Sequence, residues 1–155
     1  MKVLIAFGTL TGNSETVAKY LYENLKSDYL IELKLQDQID TQIGELNNFD
    51  LVILVASTWG EGEANPITED FIMRLSDDFQ ANDTTHFALL GLGDSSYEFF
   101  CGVVDQLEKL LLEKKARILN PNLKLDGLPE ADNLERALLW AKNCLSEISN
   151  NQKSK

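Results

Sequence analysis

"DLVILVAST", Asp50 to Thr58, sets one acid before an apolar run with no polar alternation. A strand with one solvated face alternates, so a continuous run points to a central parallel strand covered on both faces. "KVLIAFG" (Lys2–Gly8) and "HFALLGLG" (His86–Gly93) have the same character and read as buried strands. "YLIELKL" (Tyr29–Leu35) alternates and reads as a half-buried edge strand. "RIL" and "LKL", separated by Asn120–Pro121–Asn122, read as a short, broken last strand.

Helical spacing fills the intervals. Val17, Ala18, Leu21 and Leu25 mark a helix over Glu15–Lys26, and Pro66–Leu75 a second with its proline in the first turn. Val103, Val104, Leu107, Leu110 and Leu111 mark a third. Leu134, Ala137, Leu138, Ala141, Leu145 and Ile148 mark a fourth, ending before the polar "NNQKSK". Residues 36–48 read as a short helix or only a loop. Alternating strands and helices predict an α/β three-layer sandwich, a five-stranded parallel sheet with helices on both faces. The order for this size is 2-1-3-4-5, and ligands then bind beyond the carboxyl ends of the strands, near the switch point. One domain over residues 1–149 with a polar tail over 150–155 is expected.

That rule selects the loops after the first, third and fourth strands. In "GTLTGNSETVA" (Gly8–Ala18), Thr9, Thr11, Asn13 and Ser14 offer donors where a helix begins, and Gly12 permits close approach. Free N–H groups and the helix dipole favour a phosphate there. An ordinary turn capped by Asn13 or Ser14 is the plainer reading. The lysine of a nucleoside-triphosphate loop is missing. In "STWGEGEANP" (Ser57–Pro66), Trp59 leaves a strand end in a position to stack on a planar ligand or to fold over the sheet. The Gly60 peptide is free to flip at little steric cost. In "GLGDSSYEFFCG" (Gly91–Gly102), Asp94, Ser95 and Ser96 offer polar contacts and Tyr97 a second aromatic. Phe99 and Phe100 read as anchors to the core, and Cys101 as a small buried residue with no base beside it.

Fourteen basic against 25 acidic residues, a formal net charge of -11, argue against nucleic acid or anionic membranes and fit a basic protein partner. Two cysteines give no disulfide framework and no metal spacing. The apolar run after Lys2 is too short for a signal or a membrane span, so the cytoplasm is expected.

Together, "TLTGNSETVA", "STWGEGE" and "LGDSSYEFFCG", in this order and on these strands, resemble the FMN-binding loops of the flavodoxin family, and the resemblance runs on through "CGVVDQLEKLL" and "LKLDG". The length is similar to that of short-chain flavodoxins. "WGEGEANP" looks more like the FMN domains of diflavin reductases and sulfite reductase. The resemblance implies a flavodoxin-like fold and a non-covalently bound FMN. Thr9, Leu10, Thr11, Gly12, Asn13 and Ser14 would hold its phosphate. Ser57, Thr58, Trp59 and Gly60 would lie on one ring face and Tyr97 on the other, with Leu92, Gly93, Asp94 and Cys101 bordering the ring. No catalytic residue and no metal are implied.

The implied role is a low-potential single-electron carrier, not an enzyme. Its partners would be basic-surfaced redox proteins such as a ferredoxin/flavodoxin-NADP reductase and acceptor oxidoreductases, and it would act as a monomer. Between Glu61 and Asp105 ten acids face one base, Arg74, a field that disfavours added negative charge on a flavin. The alternative is an FMN-dependent NAD(P)H or quinone oxidoreductase on the same fold, for which no nicotinamide fingerprint is visible. A phosphoacceptor domain would need acids where Gly8 and Thr9 stand. A fragment of a diflavin reductase fits less well than a free-standing protein, given a start at Met1 and a polar end.

Overall fold

The computed structural model describes residues 1–9, 11–41, 44–59 and 62–153. In chain order it contains β1 (Lys2–Phe7), α1 (Asn13–Leu25), β2 (Leu30–Leu35), β3 (Leu51–Trp59), β4 (Glu63–Ala64) and α2 (Pro66–Asp78). Then follow β5 (His86–Gly93), α3 (Gly102–Glu113), β6 (Arg117–Ile118), β7 (Leu123–Asp126) and α4 (Ala131–Lys153). The sheet runs β2-β1-β3-β5, with β6 and β7 sharing the far side of β5, and these pairs are all parallel. It is the flavodoxin-like order 2-1-3-4-5, with the fifth strand in two pieces.

Alternate residues of the central strands enter two separate cores, which explains their unbroken apolar runs. Val3, Ile5, Ile53, Val55, Ala88 and Leu90 pack with Val17, Leu21, Ala137, Ala141 and Leu145 of α1 and α4. Leu4, Ala6, Val52, Leu54, Phe87 and Leu89 pack with Phe71, Leu75, Val104, Leu107 and Leu111 of α2 and α3. Each fully buried Leu, Ile, Val or Phe contributes roughly 2 kcal/mol of transfer free energy, so the two layers clamp the sheet from both sides.

The break in the fifth strand has a local cause. β6 pairs with His86 and Phe87, and β7 starts opposite Leu90. Leu119 to Asn122 therefore stand beside only Ala88 and Leu89. Pro121 has no N–H to give a ladder, and its carbonyl instead accepts the Trp140 indole N–H at 2.8 Å.

Three details differ from the sequence reading, and one that it left open is resolved. β4 was not foreseen; it pairs antiparallel with the end of β3, Thr58 opposite Ala64 and Trp59 opposite Glu63. Residues 36–48 hold two short 3-10 turns, Gln36–Gln38 and Glu45–Asn48, with residues 42 and 43 outside the described part. α2 runs on to Asp78. α4 continues past Ile148 to Lys153 instead of ending before the polar residues; once a helix is nucleated, propagation needs only acceptable propensity and no apolar stripe.

Candidate functional site

β1, β3, β5 and β7 all end on one edge of the sheet. After β1 the chain reaches Gly8, whose N–H donates to the Val55 carbonyl at 3.2 Å. Gly12 takes a left-handed conformation (φ 92) and is the N-cap of α1, with no side-chain cap. Its N–H donates to Thr9 Oγ1 at 2.7 Å. The plainer reading, a cap by Asn13 or Ser14, is therefore not what forms: both lie inside the first helical turn. Gly12 takes the cap because only a glycine turns left-handed at little cost. The first helical bond is Thr16 N–H to the Gly12 carbonyl at 2.9 Å. The amides of Asn13, Ser14 and Glu15 precede it and have no acceptor within the helix. Ser14 is fully buried, and its Oγ has no hydrogen-bond partner. A buried hydroxyl without a partner costs about 1–3 kcal/mol. An anion seated on the first turn of α1 would relieve that cost.

After β3 the chain doubles back through β4. Thr58 Oγ1 accepts the Val103 N–H at 3.1 Å, tying this hairpin to α3. Asn65 then caps α2 by accepting the Thr68 N–H at 3.0 Å, with Pro66 in the first turn.

After β5 the third loop is built on two carboxylates. Asp94 Oδ1 accepts the Ser96 N–H at 2.9 Å and the Ser96 hydroxyl at 2.7 Å. Asp126, ending β7, accepts the Ser95 N–H at 3.0 Å and the Ser95 hydroxyl. Gly127 N–H closes the seam onto the Gly93 carbonyl at 2.9 Å. The hydrogen bonds from Ser96 hold the Asp94 carboxyl below its ordinary value, and those from Ser95 do the same for Asp126. Both stay ionised into the acid range.

These loops enclose a cleft of about 520 Å³, within the range of small-molecule and cofactor sites. Thr11 and Asn13 line it from the first loop, Ser57 and Thr58 from the second, and Leu92, Gly93, Asp94 and Tyr97 from the third. Tyr97 is 51% exposed, a large aromatic surface left at the mouth. Thr9 is half-buried at the end of β1. Ser14 lies buried in the first turn of α1. Leu10, Gly60 and the Trp59 side chain fall outside the described part. Cys101 does not line the cleft. It is fully buried behind the β5 terminus, where an added Cβ on Gly93 would come within 3.1 Å of its Sγ. Burial pushes its thiol up to about 12, so it is inert. Phe99 is not a core anchor: it is 49% exposed and its Cβ lies over Gly62. Phe100 does pack on the α2–α3 core.

Two wall residues went unread in the sequence, Gly127 and Leu128. Their signal was "LKLDG": the rule of strand carboxyl ends applies to the fifth strand as well. An adjoining hollow reaches from Gly127 and Leu128 to Asp126, Glu130 and Asp132 and adds further acids beside the cleft. No lysine or arginine is among the described cleft residues. Arg74, the base of the acidic stretch, is engaged elsewhere, donating to Asp70 at 2.9 Å and to the carbonyls of Gln36 and Ile39.

A strand-end cleft with an anion-ready helix terminus, an exposed aromatic and acidic walls defines a class of α/β proteins that bind a planar, phosphate-bearing cofactor. Comparison with known proteins agrees. The flavodoxin family profile matches residues 5–140. A flavodoxin from Maridesulfovibrio salexigens is 38% identical over 150 residues, covering 95% of this chain and 99% of that protein. The sulfite reductase [NADPH] flavoprotein alpha-component of Aliivibrio fischeri is 34% identical, covering 95% of this chain and 24% of that one. The crystal structure of oxidised Flavodoxin 2 from Bacillus cereus superposes with a TM-score of 0.84 at 30% identity, covering 95% of this chain and 99% of that one. The chain belongs to the flavodoxin family, FMN-binding electron carriers.

Proposed function

We propose that this chain binds one FMN non-covalently in the strand-end cleft and carries single electrons at low potential between a reductase and acceptor redox enzymes. The observation that carries this reading is the unpartnered, buried Ser14 hydroxyl in the first turn of α1, beside a cleft with an aromatic mouth. The residues fit the cofactor. The amides of Asn13, Ser14 and Glu15, with the hydroxyls of Thr9, Thr11 and Ser14, would hold the phosphate. Ser57, Thr58, Leu92 and Gly93 would border the ring and Tyr97 would cover one face, with Leu10, Trp59 and Gly60 assigned to the same site by sequence. Bound FMN supplies reversible one-electron chemistry. Neutral donors leave the phosphate charge uncancelled, and the ionised Asp94 and Asp126 add to it. That field opposes further negative charge in the cleft and lowers the potential.

Partners with basic surfaces, such as an NADP-dependent reductase, suit the net charge of -11. Among the described residues no helix is long and apolar enough to cross a membrane. Cys101 and Cys144 are free and buried, which suits the reducing cytoplasm we assign. We assign residues 1–149 to one monomeric unit.

The test is an absorbance titration of the purified protein with FMN. Flavin bands and tight binding are expected, with no NADPH oxidation by the holoprotein alone. Ser14→Ala should weaken FMN about tenfold while leaving riboflavin, which lacks the phosphate, nearly unchanged. A protein that refuses FMN defeats the reading.

A further inference from the structure

Beneath the first loop lies a polar chain with no contact to solvent. Gln36, Asn65 and Thr68 are at most 1% exposed. The Gln36 amide donates to the carbonyls of Ala6 and Val55, each at 3.2 Å. Its Oε1 accepts the Thr68 hydroxyl at 2.6 Å. Thr68 Oγ1 in turn accepts from Asn65 Nδ2 at 3.1 Å, and Asn65 Oδ1 accepts the Thr68 N–H. None of these side-chain atoms is left unpartnered, and a fully satisfied buried network rigidifies what it joins.

What it joins are the two halves of the cleft. Ala6 lies near the end of β1, where the first loop departs, and Val55 is opposite Phe7 on β3 and also takes the Gly8 N–H. Asn65 directly follows β4 and ends the second loop. Gly8 rests on the middle of the chain: an added Cβ would sit 2.1 Å from Thr68 Oγ1 and 2.6 Å from Gln36 Oε1. An apolar core of the same shape would hold the fold without the desolvation cost of three polar side chains.

We propose that Gln36, Thr68 and Asn65 are positioning residues that tie the phosphate loop to the β3–β4 hairpin, so that flavin phosphate and flavin ring are gripped by one ordered unit. This rests on the FMN reading above. Breaking the tie should lower the contribution of the phosphate to binding.

The test uses the full chain stripped of flavin, with FMN and riboflavin as probes in titration calorimetry well below the melting temperature. Thr68→Val removes the hydroxyl at nearly constant shape. We expect about a tenfold loss of FMN affinity, a smaller ratio of FMN to riboflavin affinity, and recovery to within about threefold in Thr68→Ser. Asn65→Ser keeps a neutral cap acceptor for α2 but loses the amide donor to Thr68. It should show the same reduced ratio, and it carries the test if Thr68→Val does not fold. A merely structural network predicts a lower melting temperature with unchanged affinities; that result, or a Thr68→Ser as weak as Thr68→Val, overturns the proposal alone. A folded wild type that ignores FMN overturns the FMN reading and this inference with it.

Discussion

Gly8 shows how one residue can be fixed by its neighbours on another element. Its missing side chain makes room for the Thr68 hydroxyl, so Gly8→Ala must push a hydrogen-bonded, β-branched residue out of place. A loss of about 1–3 kcal/mol in urea unfolding is expected, as for other overpacked sites. The two thiols give a second expectation. Burial pushes Cys101 and Cys144 up to about 12 from an ordinary 9.0. In the native protein both should ignore a thiol-exchange reagent at about pH 8, and both should react once the chain is unfolded. The linkage follows in sign: above the ordinary value the unfolded chain releases thiol protons that the folded chain keeps, so stability falls as pH rises from 9.0 toward 12. Urea midpoints measured across that range would check it. The inertness of Cys101 was legible in the sequence, which read it as a small buried residue; burial is its cause, and the nearby Lys124 acts in the opposite direction. The solitude of the Ser14 hydroxyl was not, because burial and bonding depend on what packs around the helix start.

At the scale of elements, the third loop and the end of β7 hold each other through carboxylates. The pKa of each of Asp94 and Asp126 is lowered in the fold, so their support is present above 3.8 and is lost as pH falls through their lowered values. FMN retention should therefore persist through mild acid down to 3.8 and fail only as pH falls further below it. Asp126→Asn should weaken retention at neutral pH, since an amide offers Ser95 weaker acceptors; flavin absorbance after gel filtration reads both. The strands and helices were legible because their apolar periods are long. β4 was not, for "EGEA" carries no alternation and pairs through only two residues. The polar chain from Gln36 to Thr68 was hidden for a different reason. Its members lie 32 residues apart, and each alone reads as surface.

For the whole molecule, charge is the property that composition already exposed. With a net charge of -11 and an acidic cleft, electron transfer to a basic reductase should slow as salt is added. Stopped-flow rates at low and high ionic strength would show it, and a flat dependence would remove the electrostatic steering. Asp94→Asn, deleting one wall charge, should raise the flavin midpoint potential. The layered architecture and three of the four cleft-forming strand ends could be read from apolar runs and loop composition. The fourth, at "LKLDG", could not be weighed until the broken strand was seen to reach the same edge.

The break in the fifth strand carries a practical consequence. Trp140 is buried and bonded to Pro121 there, on α4 and among residues that do not line the cleft. The chain has only two tryptophans, and the other, Trp59, ends β3 at the ligand edge. In a Trp59→Phe variant all indole fluorescence would come from Trp140. Its emission would shift to the red when α4 leaves the sheet, giving an optical signal for unfolding separate from the absorbance of the flavin.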